Sequence, residues 1–194
     1  MMENKEHTLL LILGKSASGK DTLVNRLCSR AGLKAITSYT TRPRRTNEGE
    51  THIFADKATY EQMKQQGNIA AYTEIAGNIY WTTIDQLYEN DIYIIDFNGE
   101  KTLRELNLPG LRLVSVFINV PDNIREERAL NKRGDDRLTF RKRCLDENGQ
   151  FREMLKNADF DYAISNIDEA KAYSILRHIT NIEGVWKNKE DKTE

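Results

Sequence analysis

Continuous apolar runs alternate along the chain with stretches in which apolar side chains recur every three or four positions. The run at 8–13 is uninterrupted and ends at Gly14, which is typical of a strand buried on both faces of a parallel sheet. From Asp21 to Arg30 the apolar residues return at helical spacing, and Gly32 follows as a stop signal. The pattern predicts a strand, a glycine-rich turn and a helix, in that order.

The same alternation continues to the far end of the chain. Further strands are predicted at 35–39, 69–75, 92–97, 113–120 and 162–165, and helices at 58–66, 85–88, 99–106, 122–131, 138–156 and 168–179. Strands that alternate with helices predict an α/β, three-layer fold around a parallel sheet of about five strands. The last residues, 187–194, are polar, and we expect a frayed end.

Composition and charge narrow the class of protein. With 194 residues, 39% of them apolar and 30% charged, the chain predicts one globular domain. The net charge of −1 argues against a nucleic-acid partner. Cys28 and Cys144 stand far apart, so we expect neither a disulfide nor a metal framework. The run at 9–13 is too short for a membrane span, and we expect a cytoplasmic protein without a membrane partner.

The turn after the first strand carries the strongest chemical signal. Two glycines separated by four residues, then a lysine, form the spacing of a P-loop, whose amides converge on phosphate oxygens at a helix N-terminus. Lys20 is expected to reach the β- and γ-phosphates of ATP. The predicted nucleotide-binding residues of this loop are Gly14, Lys15, Ser16, Ala17, Ser18, Gly19, Lys20, Asp21 and Thr22.

One position departs from the P-loop pattern. The residue after the lysine is usually Ser or Thr, whose hydroxyl ligates Mg²⁺, but here it is Asp21. A carboxylate can bind magnesium directly, and Asp21 is therefore the candidate metal ligand. Thr22 could supply the hydroxyl instead, or Asp21 could simply suit the first turn of a helix. These alternatives stay open.

Several further motifs occur in a recognisable order. They are SYTTRPRR at 38–45, ETHIF at 50–54, GNIYWT at 77–82, DFNG at 96–99, Arg133-Gly134 and FDYAISN at 160–166. Together with the P-loop they span roughly residues 8–180 and resemble the guanylate kinase family. The resemblance implies one domain in three parts: a core at 8–34, 91–124 and 144–183, an acceptor-binding insertion at about 35–90, and a lid at about 125–143.

The resemblance also implies roles for individual residues. Arg42 and Arg45 would clamp the acceptor phosphate, because guanidinium groups bind phosphate in bidentate fashion. Ser38 and Tyr80 would add hydroxyl donors, and His52 takes the place of a family tyrosine. The implied acceptor-binding set is Ser38, Arg42, Arg45, His52, Tyr80, Thr82 and Asp96. Asn166 would lie near the adenine of ATP.

Arginines are frequent between 122 and 143, where the resemblance places the lid. Closure of such a segment would bring guanidinium groups onto the transferring phosphoryl group. By family position the implied catalytic residues are Arg133 and Arg143, together with Lys20, and Arg137 and Arg141 are alternatives. Acidic residues alternate with these arginines, so a solvated helix face is the competing interpretation.

Two positions depart from the family pattern at the base pocket. Ala71 stands where guanylate kinases carry a guanine-contacting glutamate, and Ile94 stands where they carry a second carboxylate. Glu74 is expected on the opposite strand face from residue 71. The Gly19-Lys20-Asp21 and 50–53 segments are also similar to ribose 1,5-bisphosphate phosphokinases, which need no base pocket. We therefore expect the acceptor to be GMP or a related nucleoside monophosphate, and we rank a sugar phosphate as the second alternative.

These observations predict an ATP- and Mg²⁺-dependent phosphotransferase with a small-molecule acceptor, acting as a monomer or homodimer. A non-catalytic binding module of the same fold is an alternative, but the intact cradle from Gly14 to Lys20 favours an enzyme. A mechanical NTPase switch would need a water-positioning residue, and the sequence identifies none.

Overall fold

The fold was analysed in a computed structural model, which describes residues 6–44, 52–75, 77–157 and 160–186. Arg45 and residues 48–51 of the acceptor motif lie outside the described residues. The elements are, in chain order, β1 (His7–Leu13), α1 (Lys20–Ala31), β2 (Tyr39–Thr40), β3 (Ile53–Phe54), α2 (Lys57–Gln65), β4 (Ile69–Ile75), β5 (Asn78–Thr83), α3 (Ile84–Glu89), β6 (Ile92–Ile94), α4 (Phe97–Glu105), β7 (Leu111–Asn119), α5 (Asp122–Arg133), α6 (Arg137–Asn157), β8 (Tyr162–Ser165) and α7 (Glu169–Ile182).

A parallel sheet forms the centre of the molecule, with strand order β6-β1-β7-β8. In β1, Leu10 pairs with Ile92 of β6, and Leu9 pairs with Leu113 of β7. The described part of the chain thus contains four core strands instead of the expected five or so. The predicted strand at 69–75 lies in a second sheet, within the segment that the resemblance assigns to acceptor binding, and 35–39 adds only an isolated bridge from Ala35 to the core sheet.

Both faces of the core sheet are covered, as the continuous apolar run of β1 predicts. Leu10 and Ile12 pack with α1 and α7 on one face, and Leu9, Leu11 and Leu13 pack against the other cluster, which includes Phe151 of α6. All five β1 leucines and isoleucines are completely buried. Burial of this kind is the main favourable term in folding, and it fixes the end of β1 from which the glycine-rich turn begins.

A second, mixed sheet lies between β1 and β6 in the sequence, with strand order β3-β2-β5-β4. The pairs β2–β5 and β4–β5 are antiparallel, and the β4–β5 register shifts between Ile69 and Ala71. Its aromatic centre is Trp81, which stacks on Tyr39 at 5.2 Å and meets Tyr60 edge-on at 5.3 Å.

The chain enters and leaves this second sheet at adjacent points of the core. The amide of Ile36 donates to the carbonyl of Ile92 at 2.8 Å, and the amide of Asp91 donates to the carbonyl of Lys34 at 2.8 Å. The carboxylate of Asp91 also accepts from the amide of Lys34 at 2.9 Å. The two ends of the segment are therefore tied to each other beside β6.

Helix boundaries follow local capping chemistry. The segment at 92–97, predicted as one strand, ends at Ile94, and α4 begins at Phe97 because the carboxylate of Asp96 accepts from the amide of Gly99 at 2.7 Å. Among the described helices, none has both the length and the apolar character needed to cross a bilayer.

Candidate active site

At two positions, the turn between β1 and α1 leaves room for no residue other than glycine. A Cβ on Gly14 would lie 2.7 Å from the carbonyl oxygen of Ile118 on β7. Gly19 has φ 86°, and a Cβ there would lie 2.5 Å from Nδ2 of Asn166. Both distances are well inside van der Waals contact, so the backbone approaches β7 and the end of β8 too closely for any side chain.

Lys20 folds back over the loop that precedes it. Its Nζ donates to the carbonyl of Gly14 at 2.6 Å and to that of Lys15 at 3.2 Å. The hydroxyl of Ser18 is buried and has no hydrogen-bond partner within the described ranges. An ammonium group and an unused hydroxyl at one loop form a suitable binding site for an anion.

A cavity of about 310 Å³ opens beside the loop and the first turn of α1. Arg128 on α5 forms part of its wall, and its Nη2 donates to the carbonyl of Asn166 at 2.8 Å. The side chain of Asn166 donates in turn to the carbonyl of Ser18 at 2.7 Å. Its Oδ1 is buried and, within the described residues, lacks a partner. The end of β8, the phosphate loop and α5 are thus joined at this cavity.

The first turn of α1 suits a magnesium ion bound together with phosphate. Asp21 and Thr22 are both exposed, and both line the cavity beside the loop, which is called the donor-side cavity below. No cluster of three or more His, Cys, Asp or Glu residues capable of holding a metal occurs in the described part of the chain. Magnesium commonly takes one or two protein ligands and completes its shell with phosphate oxygens and water. The carboxylate of Asp21 and the hydroxyl of Thr22 therefore suit a magnesium ion as ligands.

A second cavity of about 310 Å³ lies between the mixed sheet and the end of β6. Ser38 and Tyr93 line it, and the buried Thr82 behind them connects their hydroxyl groups: Thr82 Oγ1 lies 3.2 Å from Ser38 Oγ and donates to Tyr93 Oη at 2.6 Å. Burial raises the pKa of Tyr93, so this phenol stays protonated at neutral pH. The linked hydroxyl groups present neutral hydrogen-bond donors and acceptors to any ligand in the cavity.

Predicted phosphate-binding residues gather at one part of this cavity. His52 and Tyr80 both line it, and their rings meet edge-on at 5.6 Å. The guanidinium of Arg42 lies 5.5 Å from the ring centroid of Phe54, which itself lies 6.3 Å from the ring of His52. The Nη1 of Arg42 donates to the carbonyl of Pro43 at 2.9 Å. The structure therefore places Ser38, His52 and Tyr80 in the cavity wall, whereas Arg42 and Thr82 are not part of the lining.

Two positions that depart from the family pattern lie in the wall of this second cavity, which is called the acceptor-side cavity below. Ala71 and Ile94 both line it, whereas Glu74 is exposed and is not part of the lining. Asp96 is the carboxylate that lines the cavity in the described part of the chain. One of its oxygens accepts from Gly99 as the helix cap. Asp96 is therefore the candidate acceptor for a ligand edge that carries hydrogen-bond donors.

The predicted lid arginines pair with acidic side chains. Arg137 and Arg141 approach one oxygen of Glu126 at 3.4 and 3.5 Å, and the side chain of each is 62% exposed. Arg143 approaches Asp135 at 3.5 Å. Arg133 closes α5, and its side chain lies outside the description. In the arrangement seen here, the three arginines with described side chains do not line the donor-side cavity.

Arginines of the segment 122–143 other than the preferred Arg133 and Arg143 lie at the phosphate loop. Arg125 and Arg128, three positions apart on α5, contact Ser16 and Asn166 respectively. Helical spacing could have identified this pair, because residues three apart share a helix face. Glu147 of α6 binds the amide of Ser16 from 131 positions away, and no sequence signal marks it.

Comparisons with known proteins agree with the geometry. The family model described as "Guanylate kinase" matches residues 6–183. A guanylate kinase of Aliivibrio fischeri is 30% identical over 194 residues, covering 94% of this chain and 91% of the relative. One from Methylococcus capsulatus is 33% identical over 180 residues, covering 88% and 86%. The crystal structure of guanylate kinase from Anaplasma phagocytophilum superposes with a TM-score of 0.63 at 25% identity, covering 92% of this chain and 87% of that one.

Proposed function

The chain belongs to the guanylate kinase family, and we propose that it transfers the γ-phosphate of ATP to GMP or a related nucleoside monophosphate. The family match confirms the predicted α/β P-loop kinase fold and the predicted class of enzyme, a nucleoside monophosphate kinase. It favours a nucleotide acceptor over the sugar phosphate. The observation that carries the proposal is the glycine-lysine loop of Gly14–Lys20, held between β1 and α1 and lining one of the two cavities.

The two cavities supply the two binding sites that the reaction needs. ATP would place its phosphates on the loop amides and Lys20, with the adenine toward Asn166 and Arg128. The acceptor would occupy the second cavity, with its phosphate toward His52, Tyr80 and Arg42. Arg45 would join this clamp on family analogy.

The chemistry requires little beyond positioning and charge. An oxygen of the acceptor phosphate attacks the γ-phosphorus, the bond from that phosphorus to the β–γ bridging oxygen breaks, and ADP leaves. The acceptor phosphate is already ionised, so no general base is needed. Lys20 stabilises the charge that builds on the transferring group, and lid arginines, with Arg133 and Arg143 first, add to this effect on closure. Magnesium, bound near Asp21 or Thr22, supplies further neutralisation of phosphate charge.

The division of the chain supports the same proposal. We assign the phosphate loop and the parallel sheet to a core, the mixed sheet at about 35–90 to acceptor binding, and the segment at about 125–143 to a lid. The chain is proposed to act in the cytoplasm as a monomer or homodimer, on small molecules and not on nucleic acid, in keeping with a net charge of −1.

An acceptor panel tests the proposal. ADP release from ATP is measured in a coupled assay with GMP, dGMP, AMP, UMP, CMP and ribose 1,5-bisphosphate, each with and without Mg²⁺. We expect the highest kcat/KM with GMP or a close analogue, and no release without the metal ion. Turnover confined to ribose 1,5-bisphosphate would contradict the nucleotide assignment.

A further inference from the structure

The phosphate loop is held by two consecutive residues of α6. The amide nitrogen of Ser16 lies 3.0 Å from each carboxylate oxygen of Glu147, and the hydroxyl of Ser16 donates to one of them. Next to this contact, Nζ of Lys15 donates to Oδ1 of Asn148 at 3.0 Å. A negatively charged side chain therefore occupies donors that belong to the anion-binding loop.

Arg125 completes the surroundings of this carboxylate. Its guanidinium is completely buried, and Nη1 donates to the carbonyl of Ser16 at 2.9 Å and lies 3.7 Å from Oε2 of Glu147. Nη2 donates to Asp122 at 2.8 Å. Nε is buried and, across the described ranges, has no hydrogen-bond partner. The amide and hydroxyl of Ser16 and Nη1 of Arg125 thus converge on one anionic group, and together they form the donor set of a phosphate subsite.

Arg125 remains fixed whether or not Glu147 is present. Its bonds to Ser16 and to Asp122 anchor the guanidinium on the loop and on its own helix. The hydrogen bond from Arg125 lowers the pKa of Asp122, so this anchor is ionised at neutral pH. Departure of Glu147 would therefore leave a preorganised cation with one anion fewer than before, ready for another.

We propose that Ser16 and Arg125 form a subsite for a phosphate oxygen of the donor, and that Glu147 is an internal anion that fills this subsite until the donor displaces it. The inference rests on the proposed function, because it assumes that the loop binds ATP. A carboxylate and a phosphate group cannot use the same amide and hydroxyl at once, and like charges repel at this distance. Donor binding thereby becomes coupled to detachment of α6 from the loop.

The assignment gives Glu147 and Arg125 opposite effects on donor affinity. Phosphate can bind only to those molecules in which Glu147 has left the loop. The apparent affinity for the donor is therefore the intrinsic affinity multiplied by the fraction of such open molecules. If about one tenth are open, removal of Glu147 tightens binding about tenfold. Loss of the Arg125 contact should weaken binding, even when Glu147 has been removed.

Binding of inorganic tripolyphosphate and of Mg·ATP to the full chain tests this by calorimetry, without any need for turnover. Glu147→Gln and Glu147→Ala are compared with the wild type and with Glu153→Gln, a matched change at an exposed position of the same helix. We expect both Glu147 variants to bind tripolyphosphate about tenfold more tightly, and Glu153→Gln to match the wild type. Adenosine, which has no phosphate, should bind all four proteins equally.

A purely structural role for the Glu147 contact would predict something else. The Glu147 variants would then lose thermal stability and bind tripolyphosphate no more tightly, or more weakly, and this result would overturn the proposal. Arg125→Lys in the Glu147→Gln background should weaken the gained affinity, because an ammonium group cannot keep both anchors and reach the phosphate. If no protein, wild type included, binds either probe, the proposed function itself fails.

Discussion

The side-chain amide of Asn166 donates to the backbone carbonyl of Ser18 at 2.7 Å and so ties the end of β8 to the phosphate loop. Residue 166 is almost completely buried, and Gly19 lies directly against its Nδ2. The link places a residue 148 positions away in the chain on the wall of the donor-side cavity. The shape of the loop therefore depends on the C-terminal part of the core sheet.

Replacement of Asn166 by Ala should impair donor binding selectively. The carbonyl of Ser18 would lose its buried donor, at a cost of about 1–3 kcal/mol, and the loop would lose one of its supports. We expect the KM for ATP to rise about tenfold while the KM for GMP changes little. Steady-state kinetics with each substrate varied in turn would measure this, with Asn131→Ala, at an exposed position of α5, as the control. An equal rise in both KM values would argue against a donor-side role.

Lys20→Ala should abolish phosphoryl transfer and leave the fold intact. The ammonium group donates to the carbonyls of Gly14 and Lys15, and the side chain is not part of either apolar cluster. We expect kcat to fall by about three orders of magnitude, with a cooperative unfolding transition retained. Lys171→Ala, with a side chain 82% exposed, provides the comparison. Turnover near the wild-type rate in Lys20→Ala would refute the catalytic assignment.

Ala71→Glu should sharpen the preference for GMP over other acceptors. Ala71 is 4% exposed and lines the acceptor-side cavity, where a carboxylate would pair with the N1–H and amino group of guanine. We expect the ratio of kcat/KM for GMP to that for AMP to rise about tenfold. Because a buried glutamate could destabilise the chain, Ile94→Asp at a less buried position of the same cavity serves as the second variant. Unchanged ratios in two folded variants would show that these positions lie outside the base pocket.

Tyr93→Phe should affect the acceptor side only. The substitution keeps the ring and removes the hydroxyl that accepts from Thr82, so a buried hydroxyl loses its partner at about 1–3 kcal/mol. We expect a lower melting temperature and a higher KM for the nucleoside monophosphate, with the KM for ATP unchanged. A parallel change, Tyr88→Phe, removes a hydroxyl that bonds to Pro109 far from both cavities. Matching kinetics in the two variants would contradict a role for Tyr93 in acceptor binding.

Acid stability should depend on Glu183. The hydroxyl of Tyr162 donates to its carboxylate, Arg112 approaches at 2.6 Å, and together they hold the pKa of Glu183 below its ordinary value of 4.5. A carboxyl whose pKa is lower in the folded state stabilises fully above its unfolded value and loses that contribution as the pH falls through the folded value. Glu183→Gln should therefore flatten the pH dependence of the free energy of unfolding below about pH 5, measured by urea titration. Glu105→Gln, at an exposed position, should retain the wild-type slope.

Local signals predicted the phosphate loop and most of the elements. The spacing of Gly14, Gly19 and Lys20 is a local requirement of backbone geometry, and the bounds of β4 and β8 were predicted as the structure has them. A strand pattern does not identify the partner strand, so the pairing of β4 could not be predicted from its own residues. Ala71 in fact pairs with Thr82 in an antiparallel hairpin of the second sheet.

Contacts between distant segments were beyond sequence analysis. β2 and β3 are two residues long and too short to show a period. The approach of Glu147 to Ser16 depends on how α6 packs over the loop, and nothing in the local sequence of either residue encodes it. Among the arginines from 125 to 143, only packing separates those that reach the loop from those that pair with Glu126 or Asp135.

The pairing of residues 34–36 with 91–92 has an evolutionary consequence. The two ends of the mixed-sheet segment lie side by side. The whole segment can therefore be exchanged or lengthened at only a small additional cost in loop-closure entropy. A replacement segment must mainly preserve the surface through which β4 packs against α4. Under the proposed function, a change in this segment can therefore alter acceptor selectivity without altering the phosphate loop.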